Sequence, residues 1–408
     1  SLEATVTVGV PLGGAASLLQ QIGRAGRRGA AVGFFVPKRD PYNLYYAAHL
    51  GELLQLGAAE GLAHCVELDN PVVLREQLPL AAFEAPLRDN EFGCTDGTFT
   101  EVLADLVAAG RLTPVDGADG RVYTAARRLP RSLRSQDEAQ FIVYDGTKVV
   151  TVDGEAAKMA RGTDAVIESL GEWDSQLRYH LGAVLSQQGT RWQVEERDDS
   201  AHAVRILPTI ANYRTKPHDH TVGTPGRFLD GRDVGSLVLH LVRATVTRSV
   251  PYYKKIRGNT IIERVPLGMP TLRFTTSAVT VAIPPLLVAH VDGHATGHHG
   301  TDPRTRGFRN LHRALHGAEH ALRVAANRRI NFHPSELGGN LCDASALSET
   351  APALILYDTV PGGTGISRQL FAMFADVVRD AATVVANCNC VSDAGCPHCI
   401  LYSQCADH

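Results

Sequence analysis

Five of the chain's eight cysteines, Cys388, Cys390, Cys396, Cys399 and Cys405, fall within its last 21 residues. Cys396-Pro-His-Cys399 is a C-x-x-C knuckle, and two thiolates at that spacing can hold one tetrahedral zinc ion at about 2.3 Å. Cys390 lies six residues before the knuckle and Cys405 six after it. That near-symmetry predicts a structural zinc held by Cys390, Cys396, Cys399 and Cys405, with Cys388 as an alternate able to replace Cys390 or Cys405. A closed four-thiolate site leaves no position for water, so its task would be to fold the tail and present a surface. Redox use of the knuckle needs a thioredoxin-like strand–helix context, which this Gly/Asp-rich tail does not offer. With no secretory leader in view, the crowding argues for metal over disulfides and for a reducing cytoplasm. Cys65, Cys94 and Cys342 read as small buried hydrophobes.

A second stretch, "QQIGRAGRRG" at 20–29, carries Gln20, Gly23, Arg24, Gly26 and Arg27 as Q-x-x-G-R-x-G-R. On a helix following a Gly-rich turn, Arg24 and Arg27 would project from one face. Arginines presented to a neighbouring domain's nucleotide pocket stabilise the charge that develops in phosphoryl transfer, an effect of about 10³–10⁵ in rate. The alternative is a solvated basic helix. No G-x-x-x-x-G-K-[ST] loop occurs in the sequence to cradle phosphates. "DEAQ" at 137–140 imitates a magnesium-binding DExx box, but it follows "LPRSLRSQ" in place of a buried apolar strand, and it lies after the arginines. The expectation is a chain that does not hydrolyse ATP by itself.

His316-Gly-Ala-Glu319-His320 fits H-x-x-E-H, the inverted zinc-peptidase signature, and His312 extends the same helix face. The pattern is short and lacks an evident downstream carboxylate ligand, so a packed helix with hydrogen-bonded histidines is the preferred reading. The His-rich "HVDGHATGHHG" (290–300) has no regular spacing and reads as exposed. "RATVTRSVPYYKKIRGN" (243–259) interleaves Tyr252 and Tyr253 with Lys254, Lys255 and Arg257, a pattern suited to single-stranded DNA through phosphate contact and base stacking. "AARRLPRSLRS" (125–135) offers Arg131 and Arg134 in the same way. Either could instead be an exposed basic surface. "PGGTG" (361–365) could offer backbone amides to a phosphate or be a tight turn.

The 408 residues are 44% hydrophobic and 20% charged, with a formal charge of -3. That length suggests two to four domains, and the charge excludes a uniformly basic surface, leaving local patches for any nucleic-acid contact. The most apolar window, 275–291, is interrupted by Pro284 and Pro285 and is too short to span a bilayer, so a soluble chain is expected. It begins with Ser1, which suggests a piece of a longer protein. Residues 4–10 read as a buried strand, followed by a Gly-rich turn, a helix from about Ser17, a strand at 31–36 and a further helix: the end of an α/β domain. Phe99, Val102, Leu103, Leu106 and Val107 mark a helix before two short strands, as in a winged helix. The predicted architecture is α/β and multidomain: 1–60 the end of an α/β domain, 61–135 a winged-helix-like module, 136–235 a small β-rich unit, and 236–408 an α/β zinc-binding domain.

The Q-x-x-G-R-x-G-R run resembles motif VI of superfamily 2 helicases, where the glutamine and both arginines belong to an ATP site between two RecA-like domains. "VGVPLGGAASLLQQIGRAGRRG", "LDNPVVLREQLPLAAFEAPL", "HLGAVLSQQGTRWQVEE", "GAEHAL", "LYDTVPGGTGIS" and "CNCVSDAGCPHCILYSQC" together resemble the mitomycin repair factor A (MrfA) family of DNA helicases. The chain departs from that family at Val10, usually aromatic, and at "YDTVPGG", usually "YDGYPGG". The resemblance implies 3′-to-5′ translocation on single-stranded or forked DNA, a role in repairing damaged DNA, and a bacterial cytoplasmic, nucleoid-associated location. It further implies that 1–60 is the C-terminal remnant of a second RecA-like domain, with ATP and Mg2+ in the intact protein, Gln20, Gly23, Arg24 and Arg27 at the ATP site, an MrfA-type zinc-binding domain at 236–408, and absent N-terminal helicase domains as the partner. A non-enzymatic zinc-containing DNA- or protein-binding scaffold is the alternative, followed by the peptidase.

Overall fold

The computed structural model describes residues 2–11, 14–26, 29–58, 65–89, 91, 97–117, 120–125, 140–148, 165–187, 189–294, 303–330, 332–342, 353–391, 395–401 and 405. The molecule is mixed α/β. It divides into two compact units, each discontinuous in sequence: residues 1–128, 223–246 and 274–408 form the larger, and 129–222 with 247–273 the smaller.

In the larger unit, β1 (Ala4–Val8), α1 (Gly14–Ile22) and β2 (Val32–Val36) form a strand–helix–strand turn, with β1 and β2 paired in parallel. Ala15 and Leu18 bury the inner face of α1 against Tyr42 and Tyr46 of α2 (Pro41–Ala48) and Leu53 of α3 (Leu50–Ala58). Asp40 caps α2 by accepting from the Asn43 amide, with Pro41 in the first helical turn where its missing N–H costs nothing. Asn43 in turn accepts from the Val10 amide at 2.8 Å, tying the end of β1 to α2.

Next come α4 (Pro71–Glu84), β3 (Leu87–Arg88), α5 (Thr98–Ala108), β4 (Thr113–Gly117) and β5 (Gly120–Thr124). The five apolar positions expected on one face include Phe99, Val102, Leu103 and Leu106, which are buried against Leu74, Leu78 and Ala82 of α4. The hairpin β4–β5 extends to β3, giving a three-stranded sheet in the order β3-β5-β4.

The smaller unit holds β6 (Gln140–Asp145), β7 (Val166–Gly171), α6 (Glu172–Arg178), β8 (Val184–Gln187), β9 (Thr190–Asp198) and β10 (Ala203–Pro208). They make a five-stranded sheet, β7-β6-β10-β9-β8, over a core of Phe141, Val143, Tyr179, Val194, Val204 and Ile206.

The expected boundary at 235/236 falls inside a hairpin. β11 (Arg214–Val234) and β12 (Leu237–Arg257) are continuous 21-residue strands joined at Gly235, whose φ of 61° suits a residue without a side chain. Each strand contributes residues to both units, as does β14 (Leu272–Ala282), while β13 (Thr260–Pro266) pairs with β12. Asp, Gly and Pro along β11 disfavour a strand locally, but ladder pairing with β12 overrides those preferences.

The chain returns through α7 (Pro285–His294), α8 (Pro303–Ile330), β15 (Leu337–Cys342), β16 (Ala353–Asp358) and α9 (Ile366–Ala386). β16, "ALILYD", is buried at every position because it lies between antiparallel β14 and β15. Leu315, Leu322 and Ala325 of α8 and Leu370, Phe374 and Val377 of α9 close over Val279, Val281, Leu354 and Leu356 of the sheet. Among the described residues, no helix is long and apolar enough to cross a membrane.

Candidate metal centre and arginine motif

The cysteine-rich tail leaves α9 at a C-cap where the Asn387 amide bonds back to Thr383. Cys388 and Cys390 follow in the irregular segment beyond the helix, where the Cys388 amide bonds back to the Val385 carbonyl at 3.3 Å. Gly395, at φ 76°, turns the chain into the knuckle, which closes with Cys399 N–H donating to the Cys396 carbonyl at 3.0 Å. The sulfurs of Cys388, Cys390, Cys396 and Cys399 lie within 4.8 Å of one another. The separations are 3.5 Å for Cys388–Cys396, 3.9 Å for Cys390–Cys399 and 3.8 Å for Cys396–Cys399. Four sulfurs at about 2.3 Å from a tetrahedral ion stand about 3.8 Å apart, so the set fits zinc. The Cys396 amide donates to Cys399 Sγ at 3.1 Å and the His398 amide to Cys396 Sγ at 3.4 Å. Such bonds favour thiolate over thiol.

Cys405, expected in this set, stands elsewhere. Its sulfur is 3.2 Å from His316 Nε2, and His316, His320 and Cys405 form a second cluster within 4.8 Å. Symmetric spacing about the knuckle favoured Cys405; the segment leaving α9 brings in Cys388 instead, its sulfur 3.5 Å from that of Cys396. His320 Nδ1 lies 2.7 Å from the Ile400 carbonyl. Glu319, between the histidines, is buried and accepts from Arg323 Nη1 at 3.0 Å.

In the arginine motif, α1 ends at Ile22, so Gly23 and Arg24 occupy the turn beyond it and not a helix face as expected. Beyond that turn Gly26, at φ 75°, donates its amide to the Leu2 carbonyl at 3.1 Å. Gln20, Gly23 and Arg24 are exposed. Arg27 lies outside the described residues, as do Arg131, Arg134 and all of "DEAQ" except Gln140.

The basic stretch of β12 is less available than its composition suggests. Tyr253 is buried, 4.5 Å from the His180 ring, so it is a core residue and not a base-stacking one. Alternation along the strand turns Tyr252 the other way, onto His218 at 4.5 Å with ring planes 20° apart. Lys255 pairs with Glu263 of β13 at 2.9 Å, an acid the local sequence does not reveal. Arg257 donates to Asn212, and Lys254 lies opposite Arg264 in the ladder.

Sequence reasoning missed a buried polar network in the larger unit. Asn70 caps α4 through the Val72 and Val73 amides, while its Nδ2 donates to the Gly363 carbonyl at 2.8 Å. Arg243 Nη2 donates to the Asp69 carbonyl at 2.6 Å, and its Nη1 to Ser277 Oγ and the Gly362 carbonyl. Arg368 pairs with both Glu67 and Asp69. The "DNP" run, a cap residue before a proline, was the available signal. The same network disposes of "PGGTG" as a phosphate cradle: the Thr364, Gly365 and Ser367 amides all donate to Asp358, and the Gly362 amide to the Thr275 carbonyl. Burial pushes the Asp358 carboxyl upward, and those bonds pull it down.

Residues 318–400 match the family model of the MrfA Zn-binding domain. Along 98% of its length the chain is 24% identical to the uncharacterized ATP-dependent helicase YprA of Bacillus subtilis, and along 99% it is 22% identical to the ATP-dependent helicase hrq1 of Schizosaccharomyces pombe. It spans 49% of the former and 36% of the latter. Among solved structures, the DUF1998 helicase MrfA bound to DNA shares the fold over 98% of this chain and 49% of that one, at TM-score 0.56 and 23% identity. The same helicase with DNA and AMPPNP aligns at TM-score 0.54 and 21% identity, over 98% of this chain and 48% of that one.

Proposed function

Taking the chain as an MrfA-type helicase C-terminal region, we propose that it is the DNA-guiding half of an ATP-dependent 3′-to-5′ DNA helicase acting on damaged DNA. The observation that carries this reading is the pair β1–β2. Val6, Val8, Phe34 and Val36 form an exposed apolar face on a two-stranded parallel sheet. Parallel sheets are normally covered on both faces, and two strands are not stable alone. The pair is therefore read as part of a larger RecA-like sheet completed by further helicase domains, whose nucleotide Gln20, Gly23, Arg24 and Arg27 would meet.

The sequence has no glycine-rich phosphate loop, so ATP and Mg2+ would be held chiefly by those other domains. Zinc would sit in the Cys388, Cys390, Cys396 and Cys399 set, whose sulfur spacing fits it; bound there, it cross-links the tail. Helices α4 and α5 with the β3-β5-β4 sheet are read as a winged-helix-like module. In the smaller unit, Tyr252 and Lys254, which share one face of β12, and Arg264, opposite Lys254, are the candidates for single-stranded DNA.

The test is reconstitution. The chain by itself should bind DNA without ATP turnover, and DNA-stimulated turnover should arise when the N-terminal helicase domains are joined to it. A non-enzymatic scaffold would give no turnover in either form.

A further inference from the structure

We propose that His316, His320 and Cys405 form a second metal site, for a zinc-class divalent ion, distinct from the four-thiolate centre. The two histidines stand four residues apart on α8 and therefore share a face, with ring centroids 4.4 Å apart. Cys405 comes to that face from the far end of the tail. One donor atom from each of the three residues lies within 4.8 Å of the other two, and His316 Nε2 is 3.2 Å from Cys405 Sγ. An imidazole nitrogen and a thiolate on one tetrahedral zinc stand about 3.6 Å apart, so small side-chain movements admit the ion.

The surroundings are those of a built site. His320 donates Nδ1–H to the Ile400 carbonyl at 2.7 Å, which leaves the lone pair on Nε2. A carbonyl on the far nitrogen is the usual outer partner of a metal-binding histidine. Ile400 directly follows the knuckle, and its side chain packs where Gly317 leaves room, 3.6 Å from the position a Cβ would take. The knuckle thus seats the tail on α8 and delivers Cys405 to the histidines. Glu319 supplies negative charge beside them, with Oε2 3.5 Å from His320 Nε2 and 3.8 Å from His316 Nδ1. It fits only because residue 339 is glycine: a Cβ there would come within 2.4 Å of Oε1.

Two imidazoles and a thiolate select zinc, cobalt or copper over magnesium or calcium. On binding, Cys405 gives up its thiol proton to solvent, both histidines turn a neutral nitrogen to the ion, and water completes the fourth position. Glu319 is held by Arg323 at 3.0 Å, so the arrangement is a clamp between the tail and α8 and not a peptidase centre.

The proposal is tested by counting zinc per chain, by elemental analysis of the purified protein. The wild type should hold two equivalents, and Cys405→Ser and His316→Ala should each hold one. Cobalt(II) loading checks the same variants: the retained ion should show an all-sulfur spectrum. A wild-type count of one, kept by Cys405→Ser, overturns the second site while leaving the four-thiolate centre intact. A count of two kept by both variants overturns it as well. One equivalent lost on Cys405→Ser but kept on Cys388→Ser overturns it too, and with it the four-thiolate assignment.

Discussion

Arg368, in the first turn of α9, reaches back to the segment before α4, with Nε 2.8 Å from Glu67 Oε1 and Nη2 3.0 Å from Asp69 Oδ2. Both carboxylate side chains are almost wholly buried, while the arginine is about a quarter exposed. The partners are 301 and 299 residues apart in sequence, so the contact joins the N-terminal part of the larger unit to its sheet-and-helix core. Removing one partner of a buried pair leaves uncompensated charge and costs about 3 kcal/mol. Arg368→Ala should therefore lower the thermal midpoint of the protein by several degrees, as differential scanning calorimetry would show. An unchanged midpoint would mean that the pair is solvated and weak.

The next expectation concerns pH. Burial depresses the His180 pKa to about 4, from an ordinary 6.5, as the ring packs on Tyr253. The folded smaller unit thus refuses a proton that the unfolded chain accepts. Its stability is fully present above pH 6.5 and is lost as pH falls toward 4, by roughly 3 kcal/mol over that window. His180→Phe should flatten the dependence of urea midpoint on pH across the window. A variant that keeps the wild-type slope would show that another group is responsible.

The adjacent tyrosines should behave oppositely. Tyr253→Ala should cost about 3–5 kcal/mol of stability, as for other buried aromatic rings, with little change in DNA affinity per folded molecule. Tyr252→Ala should spare the fold and weaken single-stranded DNA binding by about 1–3 kcal/mol, the worth of one stacked base. Fluorescence anisotropy paired with thermal melts separates the two outcomes, and DNA binding indifferent to Tyr252→Ala would remove β12 from the DNA path.

In the chain joined to its helicase domains, Arg24→Ala or Arg27→Ala should lower ATP turnover by at least about 10³ with DNA affinity nearly intact. Arg24 is exposed on a turn pinned by Gly26, as an arginine serving a neighbouring domain must be. Wild-type turnover in both variants would sink the ATP-site assignment.

Cys399→Ser should release the zinc of the four-thiolate centre, because Cys399 is the most buried of the set and accepts the Cys396 amide. In small zinc peptides metal binding supplies about 10–16 kcal/mol of folding free energy. Here the helices and sheet of the larger unit have their own core, so only the tail beyond α9 should become protease-sensitive. Unwinding should suffer more than ATP hydrolysis. Limited proteolysis with mass readout would show the cleavage sites, and cuts spread through α8 and β16 would contradict a local role.

Patterns that act over a few residues were legible in the sequence. The C-x-x-C knuckle, the strand–helix–strand turn around Leu18, the apolar face of α5 and the apolar run Ala353–Tyr357 of β16 each follow from spacing alone, because periodicity and turn chemistry are local. The α/β class followed from them. What pairs through the tertiary fold did not: Lys255 with Glu263 across a hairpin, and, over 174 and 301 residues, Arg243 with the Asp69 carbonyl and Arg368 with Glu67. Nor could composition tell Tyr252 from Tyr253, since the face each occupies depends on the strand's register and on His180 and His218 arriving from elsewhere. The cysteines show the division most plainly. Sequence determined that a thiolate cluster would form around Cys396 and Cys399; tertiary structure decided that Cys388 joins it and Cys405 goes to His316, because donor sets assemble by distance in space, and α8 is brought to the tail only by packing of the core.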